Sequence, residues 1–395
     1  MTLFRKLRTA RRVFAQFGLG GLASAVAASL QPRDFSADVS FVEDGPFGAD
    51  AADLPARTIN WVIPPFGIGS GGHINIFRLV LNLETIGFTS VIHIMGSSGY
   101  SSPEAAQAAI RKHFFPLKAQ VVFGVQSMQP ASITVATSWQ TAYPVRNFRG
   151  SARKVYFIQD FEPDFYPRGS AYVLAEDTYR FGFTGVTAGE WLQTKLAAEY
   201  GMTTHAMGFS YDRALYRRSP RPDADRPRVF FYARPPTARR AFELGMLALG
   251  RLADAMPEVD IVLAGWDLGG AQVRFPHRSL GNVALDRLGE LYGQCDAALV
   301  LSMTNLSLLP LELMACGCVV VSNRGANTEW LLNDDNAVLA DANPGALCEA
   351  LQALLTDPQR RARLAEAGAT FAAATDWQVE ADRVAAVFQS LDPAR

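Results

Sequence analysis

Residues 297–323 read AALVLSMTNLSLLPLELMACGCVVVSN. The apolar run AALVL passes into a polar loop, then into LPLELMAC at helical spacing, and then into a second apolar run, CVVVSN. Two apolar runs of strand length around a helix specify a βαβ unit, because parallel strands need a crossover and are covered on both faces. The same rhythm extends outward. DRLGELYGQC (286–295) and the stretch 239–256 predict helices, while VDIVLAG (259–265) and RVFFYAR (228–234) predict strands. On the far side of SPRPDADRPR (219–228), whose prolines and mixed charges suit a linker, TINWVIP (58–64), TSVIHIM (89–95), AQVVFG (119–124), SITVAT (132–137), KVYFIQD (154–160), FTGVTAG (183–189) and TTHAMG (203–208) predict further strands. Helical stretches at 74–85, 103–114 and 190–201 alternate with them, and a last helix runs from Trp377 to about Leu391. The expected fold is α/β, with two Rossmann-like doubly wound domains facing across a cleft. The expected division is a lead-in over 1–56, an N-terminal domain over 57–218, the linker 219–228, a C-terminal domain over 229–375 and a final helix within 376–395.

Composition narrows the function classes. A chain of 395 residues is too long for one core and suits two domains. With 49% hydrophobic and 19% charged residues, it has the apolar content that disordered chains lack. A net charge of −1 argues against a protein that lives on nucleic-acid phosphates. Cys295, Cys316, Cys318 and Cys348 lack CxxC spacing and an accompanying His cluster, so neither a disulfide framework nor a zinc site is expected, and a reducing compartment fits. No run reads as a membrane span. Residues 1–30 carry Arg5, Lys6, Arg8, Arg11 and Arg12 ahead of Val13, Phe14, Phe17 and Leu19. That pattern fits a basic amphipathic helix on anionic lipid, a weak secretory signal or a solvated arm.

Four constellations could carry chemistry. GIGSGGH (67–73) lies between a strand and a helix, where Gly69, Gly71 and Gly72 let a backbone approach a ligand. His73 there could bond a sugar or cap the helix. The loop is neither a Walker A sequence nor a dinucleotide fingerprint. QDFEPDFYPRGS (159–170) crowds carboxylates and aromatics at a strand end, a mixture suited to sugars; Asp160 is the leading candidate, with Glu162 and Asp164 either sugar-facing or solvated. In YARPPTARR (232–240), Arg234 ends a strand and Arg239 and Arg240 open a helix; fixed guanidinium groups suit a departing diphosphate. One of the two adjacent arginines is expected to be a surface charge. In the 302–317 loop and helix, Thr304, Asn305 and Ser307 can donate to phosphate oxygens, and Glu312 can serve helix stability or accept ribose hydroxyls.

Taken together, FGIGSGGHINIFR, YFIQDFEPDFYPRGS, TYRFGFTGVTAGEWL, FYARPPTARRAFELG and LSMTNLSLLPLELMACGCVVVSN resemble the retaining GT-B glycosyltransferases of family four. The likeness is greatest to bacterial rhamnosyltransferases of S-layer and rhamnan-type glycans. The resemblance implies a nucleotide-sugar donor in the C-terminal domain, with dTDP-β-L-rhamnose first. It implies a glycan or lipid-linked acceptor in the N-terminal domain, a final helix that crosses back onto that domain, and no metal or other cofactor. It places Arg234, Arg239 and Asp160 at the reaction, and Gly265, Thr304, Asn305, Ser307, Glu312 and Arg240 around the donor. Gly69, Gly71, Gly72 and His73 form the acceptor loop. Glu312 matches the second acid of an E-x7-E pattern whose first position is Thr304 here. A cytoplasmic enzyme, peripheral at the inner membrane face, follows from the same likeness. A GT-B-shaped sugar-nucleotide epimerase and a non-catalytic sugar-nucleotide-binding subunit are the alternative readings.

Overall fold

The computed structural model describes residues 37–50, 54–96, 98–219, 226–270 and 272–392. The basic arm and most of the 219–228 linker lie outside the described residues. The strands are β1 (Thr58–Ile63), β2 (Thr89–Ile94), β3 (Gln120–Phe123), β4 (Ala131–Ala136), β5 (Ser151–Ile158), β6 (Thr184–Ala188), β7 (Thr204–Met207), β8 (Arg228–Tyr232), β9 (Asp260–Ala264), β10 (Arg278–Gly281), β11 (Ala297–Val300), β12 (Val319–Asn323) and β13 (Val338–Ala340). The helices are α1 (Gly71–Thr85), α2 (Pro103–His113), α3 (Trp139–Asn147), α4 (Ser170–Asp177), α5 (Glu190–Tyr200), α6 (Phe242–Ala255), α7 (Leu285–Gly293), α8 (Leu309–Ala315), α9 (Ala326–Glu329), α10 (Pro344–Leu355), α11 (Pro358–Ala374) and α12 (Trp377–Leu391).

The strands form a seven-stranded sheet of order β3-β2-β1-β4-β5-β6-β7 and a six-stranded sheet of order β10-β9-β8-β11-β12-β13. Both orders are doubly wound, reversing beside β1 in one sheet and beside β8 in the other. In the second sheet Phe231 pairs in parallel with Leu263 on one side and Leu299 on the other. Successive strand residues point to opposite faces. Phe230 accordingly joins Leu311, Leu313 and Met314 in one core layer, and Phe231 joins Leu249, Leu252 and Leu351 in the other. Helix starts are set locally. Ser102, Asn343 and Asp357 each accept an amide of the first turn of α2, α10 and α11, and a proline follows each of them, where a missing N–H costs nothing.

Contacts divide the chain differently from the linker-based expectation. One compact unit holds the described residues up to Phe157, Asp177–Gly185 and Val384 onward; the other holds Ile158–Glu176 and Val186–Arg383. In the first unit, Trp61 is fully buried and stacks on Phe388 of α12 at 5.9 Å between ring centres. The segment 158–176 belongs to the second unit because Asp160 and Phe165 are bound there, as the site geometry shows below. A second correction concerns 239–256. The chain makes a 3-10 turn at Ala238–Arg240, and α6 begins only at Phe242. Between them Ala241 has φ +46°, a left-handed conformation that side chains resist. The turn takes Arg239 and Arg240 out of the helix and lets them diverge.

Candidate active site

The candidate site of the second unit lies at the carboxyl ends of β8 and β11, where open α/β sheets bind ligands. Gly265, just past β9, has φ +107°, and a Cβ there would lie 2.3 Å from the Tyr232 ring. Tyr232 ends β8, and its hydroxyl accepts from Arg234 Nη1 at 2.8 Å. Gly265 therefore makes room for the ring that holds the exposed Arg234.

Arg239 and Arg240, adjacent in sequence, have different surroundings. The Arg240 guanidinium donates from Nη1 to the Ser302 hydroxyl at 2.6 Å and to the Asn305 carbonyl at 3.0 Å. Burial lowers its pKa from the ordinary value, and the nearby Asp160 charge opposes that. It is a brace of the 302–305 loop, neither a surface charge nor an open donor-binding group. Arg239 lies with its Nε 3.2 Å from Asp160 Oδ2 and its guanidinium 4.1 Å from the Phe165 ring centre. Among the described residues its guanidinium nitrogens, Nε included, have no hydrogen-bond partner, so the contact with Asp160 is an ion pair.

Asp160 is 8% exposed. Its Oδ1 accepts the Phe161 amide at 2.9 Å and the Asn305 amide at 2.8 Å, and its Oδ2 accepts the Thr304 hydroxyl at 3.0 Å. Asn305 is fully buried; its Nδ2 donates to the Gln159 and Ala188 carbonyls at 3.0 and 2.6 Å, and its Oδ1 accepts from Leu306 N and Trp330 Nε1 at 3.0 and 2.9 Å. Thr304 and Asn305 thus have their donors engaged inside the protein, so the expectation that they face phosphate oxygens is corrected. Both residues build the loop from below.

Sequence reasoning missed several supports. Asn323 holds the Ser302 backbone on both sides, accepting its amide and donating to its carbonyl at 2.9 Å each. Asn327 Nδ2 donates to the Ser302 and Thr304 carbonyls at 2.9 and 2.6 Å. The polar Ser322-Asn323 pair ending an otherwise apolar strand was the available signal. Phe165 and Trp330 carried none beyond their aromatic character. Ser307 is half-buried, its hydroxyl 3.4 Å from Leu309 N. Helix α8 spans only seven residues, about two turns, so its dipole is small. Glu312 on α8 is half-buried and takes a hydrogen bond from Tyr216; burial raises its carboxyl to about 7. Of the acidic pair beside Asp160, Glu162 is buried and Asp164 exposed.

In the first unit, Gly69 has φ +82°, and neither Gly69 nor Gly71 has an atom within 4 Å of a built Cβ. Gly72 lies in the first turn of α1. His73 is fixed rather than free to meet a sugar. Its Nε2 donates to the Pro64 carbonyl at 3.2 Å, so its Nδ1 accepts from the Ser70 hydroxyl at 2.7 Å. Burial lowers its pKa and favours this neutral ring. Elsewhere in the second unit, a surface depression of about 590 Å³ is lined by Asn333, Asp335, Arg363, Glu366 and Phe371, among others; none of the residues singled out in the sequence borders it. All four cysteines are buried and none forms a disulfide. Among the described residues no helix is long and apolar enough to cross a membrane.

The sheet orders and the fold comparisons define the class. HepE from Anabaena, solved in complex with UDP, superposes with a TM-score of 0.66 at 15% identity, over 84% of this chain and 100% of that one. Sucrose-phosphate synthase from Thermosynechococcus elongatus gives 0.62 at 13% identity, over 85% and 98%. Residues 117–188 match the family described as WsaF, N-terminal domain, and residues 227–352 match WsaF, C-terminal domain. O-antigen biosynthesis protein RfbC of Myxococcus xanthus is 33% identical over 374 residues, covering 90% of this chain. The chain spans 29% of that relative's length. The fold is the GT-B fold of the glycosyltransferase structures it resembles. Within that fold the chain carries both WsaF domains, in order.

Proposed function

We propose that the chain transfers a sugar from a nucleotide-sugar donor to a hydroxyl of a bacterial surface glycan. The observation that carries this reading is Arg239, gripped by Asp160 and Phe165 with its terminal nitrogens free, beside Arg234 at the strand ends. Fixed guanidinium groups match the two negative phosphates of a nucleotide diphosphate and lose little entropy on binding. The WsaF matches and the likeness to an O-antigen protein support a polysaccharide acceptor, and L-rhamnose from dTDP-β-L-rhamnose is the first-choice donor. The solved relative that holds UDP supports the nucleotide diphosphate class.

The acceptor hydroxyl oxygen bonds to the anomeric carbon as the bond from that carbon to the diphosphate oxygen breaks. The electron pair leaves on the diphosphate, and the hydroxyl proton passes to a diphosphate oxygen. Attack from the leaving-group face gives retention. In this reading Arg234 and Arg239, rather than a metal ion, offset the departing charge, and Ser307 adds a hydroxyl donor. Glu312 takes the ribose 3′-hydroxyl on the acceptor capacity that Tyr216 leaves. Gly69, Gly71 and Gly72 give the acceptor backbone access, and residues 1–30 bring the enzyme to the inner membrane face.

The test is a thermal-shift screen against dTDP-rhamnose, UDP-glucose, UDP-GlcNAc and GDP-mannose, followed by transfer or hydrolysis of the best donor. A ligand at ~100 times its Kd adds roughly 2.7 kcal/mol. Arg239→Ala should lower turnover by about 10²–10³ while the fold persists. Undiminished turnover in both Arg234→Ala and Arg239→Ala would reject the site.

A further inference from the structure

Asp160 is the point at which two segments of the second unit, distant in sequence, meet charge. An ionised carboxylate offers roughly four acceptor sites. Here the Phe161 amide, the Asn305 amide and the Thr304 hydroxyl donate to its oxygens, and the Arg239 Nε stands 3.2 Å from Oδ2 as an ion pair without a hydrogen bond. Three of these sites are filled from within the protein and Asp160 is only 8% exposed, so its role is read through the groups it holds. The consequence of its geometry is mechanical and electrostatic. Its charge holds one edge of the Arg239 guanidinium while Phe165 covers a face at 4.1 Å. The Arg239 carbonyl is itself tied to the loop, accepting from Met303 N at 2.8 Å. Arginine and loop are therefore one body, and Asp160 is its pin.

We propose that Asp160 is a positioning residue that sets the Arg239 fork and the 302–305 loop together against the donor diphosphate, acting through Arg239 and never touching substrate. This inference rests on the nucleotide-sugar reading above. It predicts that the carboxylate matters by place, not by sequence position. Thr304 Oγ1 lies 3.0 Å from Asp160 Oδ2, so a carboxylate carried by residue 304 would reach the same spot. Asp160→Ser combined with Thr304→Glu moves the charge across this gap, with nearly compensating changes in side-chain volume.

The experiment measures kcat and donor KM, together with calorimetric affinity for UDP and dTDP, in the full chain. The wild type is compared with D160S, T304E, D160S/T304E and the isosteric D160N. D160N and D160S should each lose about 10² in kcat, the scale of a misplaced group, while KM rises less than tenfold. T304E alone, with two carboxylates side by side, should also lose activity. The double variant should recover most of the kcat lost in D160S, a rescue that a purely structural role for Asp160 does not produce. A D160N enzyme with wild-type kcat, or a double variant no better than D160S, overturns the inference. If D160S does not fold, a folded D160N that keeps wild-type kcat still overturns it, and one that loses kcat supports it. A wild-type chain that binds neither nucleotide and turns over no sugar nucleotide would instead overturn the functional reading, and the inference with it.

Discussion

Asn305→Asp changes one atom type and almost no shape, so it tests the buried scaffold directly. The native amide satisfies every hydrogen-bonding capacity it has: two donor bonds to the Gln159 and Ala188 carbonyls, and two acceptor bonds from Leu306 N and Trp330 Nε1. Aspartate keeps the two acceptor bonds and replaces both donors with an oxygen facing carbonyl oxygens. Leaving a buried acceptor unpaired costs about 1–3 kcal/mol. Two such losses set the expected destabilisation at about 2–6 kcal/mol. The variant carboxyl can relieve one loss by taking a proton, so its pKa in the fold should rise, and the deficit should shrink towards about pH 4 and grow as pH rises. Urea unfolding at several pH values, followed by tryptophan fluorescence, measures this. The midpoint should fall with the slope unchanged, since the area exposed on unfolding is the same. An Asn305→Asp protein within about 0.5 kcal/mol of wild type at neutral pH would refute the claim that this amide holds strand end, loop and Trp330 together, because surface changes cluster in that range.

Two further outcomes are expected. Burial raises Glu312 to about 7 from an ordinary 4.5, so the folded state holds an extra proton between those values and stability falls as pH rises through that window. Glu312→Gln should gain on the order of 3 kcal/mol relative to wild type between about pH 4 and pH 8; a pH-independent difference in denaturant melts would remove the argument. The arm gives a separate test: vesicles rich in anionic lipid should pellet the full chain but not one beginning near Pro55, with salt weakening the effect. Equal pelleting of the two would dismiss a lipid contact through residues 1–30.

The architecture was legible because its signals are short-range and repeated. Apolar runs such as CVVVSN can be satisfied only by burial on both faces, and helices between them leave parallel pairing as the solution. Caps such as Asn343-Pro344 are equally local, since their side chains bond amides one turn away. Part of the constellation was also readable by type: Arg239 and Asp160 meet, with Nε 3.2 Å from Oδ2.

What each side chain does there was decided by tertiary contacts. Periodicity ran a helix through Arg239 and Arg240, whereas the fold breaks it at Ala241 and turns one guanidinium inward and the other towards Asp160. Thr304 and Asn305 looked like phosphate donors by type, yet burial had already assigned their hydrogen bonds. His73 was similarly committed to Pro64 and Ser70. The sequence by itself determined the alternation of strands and helices, the order of the two domains and which polar residues stand at strand ends, because backbone preference and hydrophobic period act over a few residues. Only the tertiary structure decided which of those polar groups are braces and which are free to meet a ligand, because a buried donor must find its partner wherever the chain brings one, and Asp160 and Asn305 meet across 145 residues of sequence.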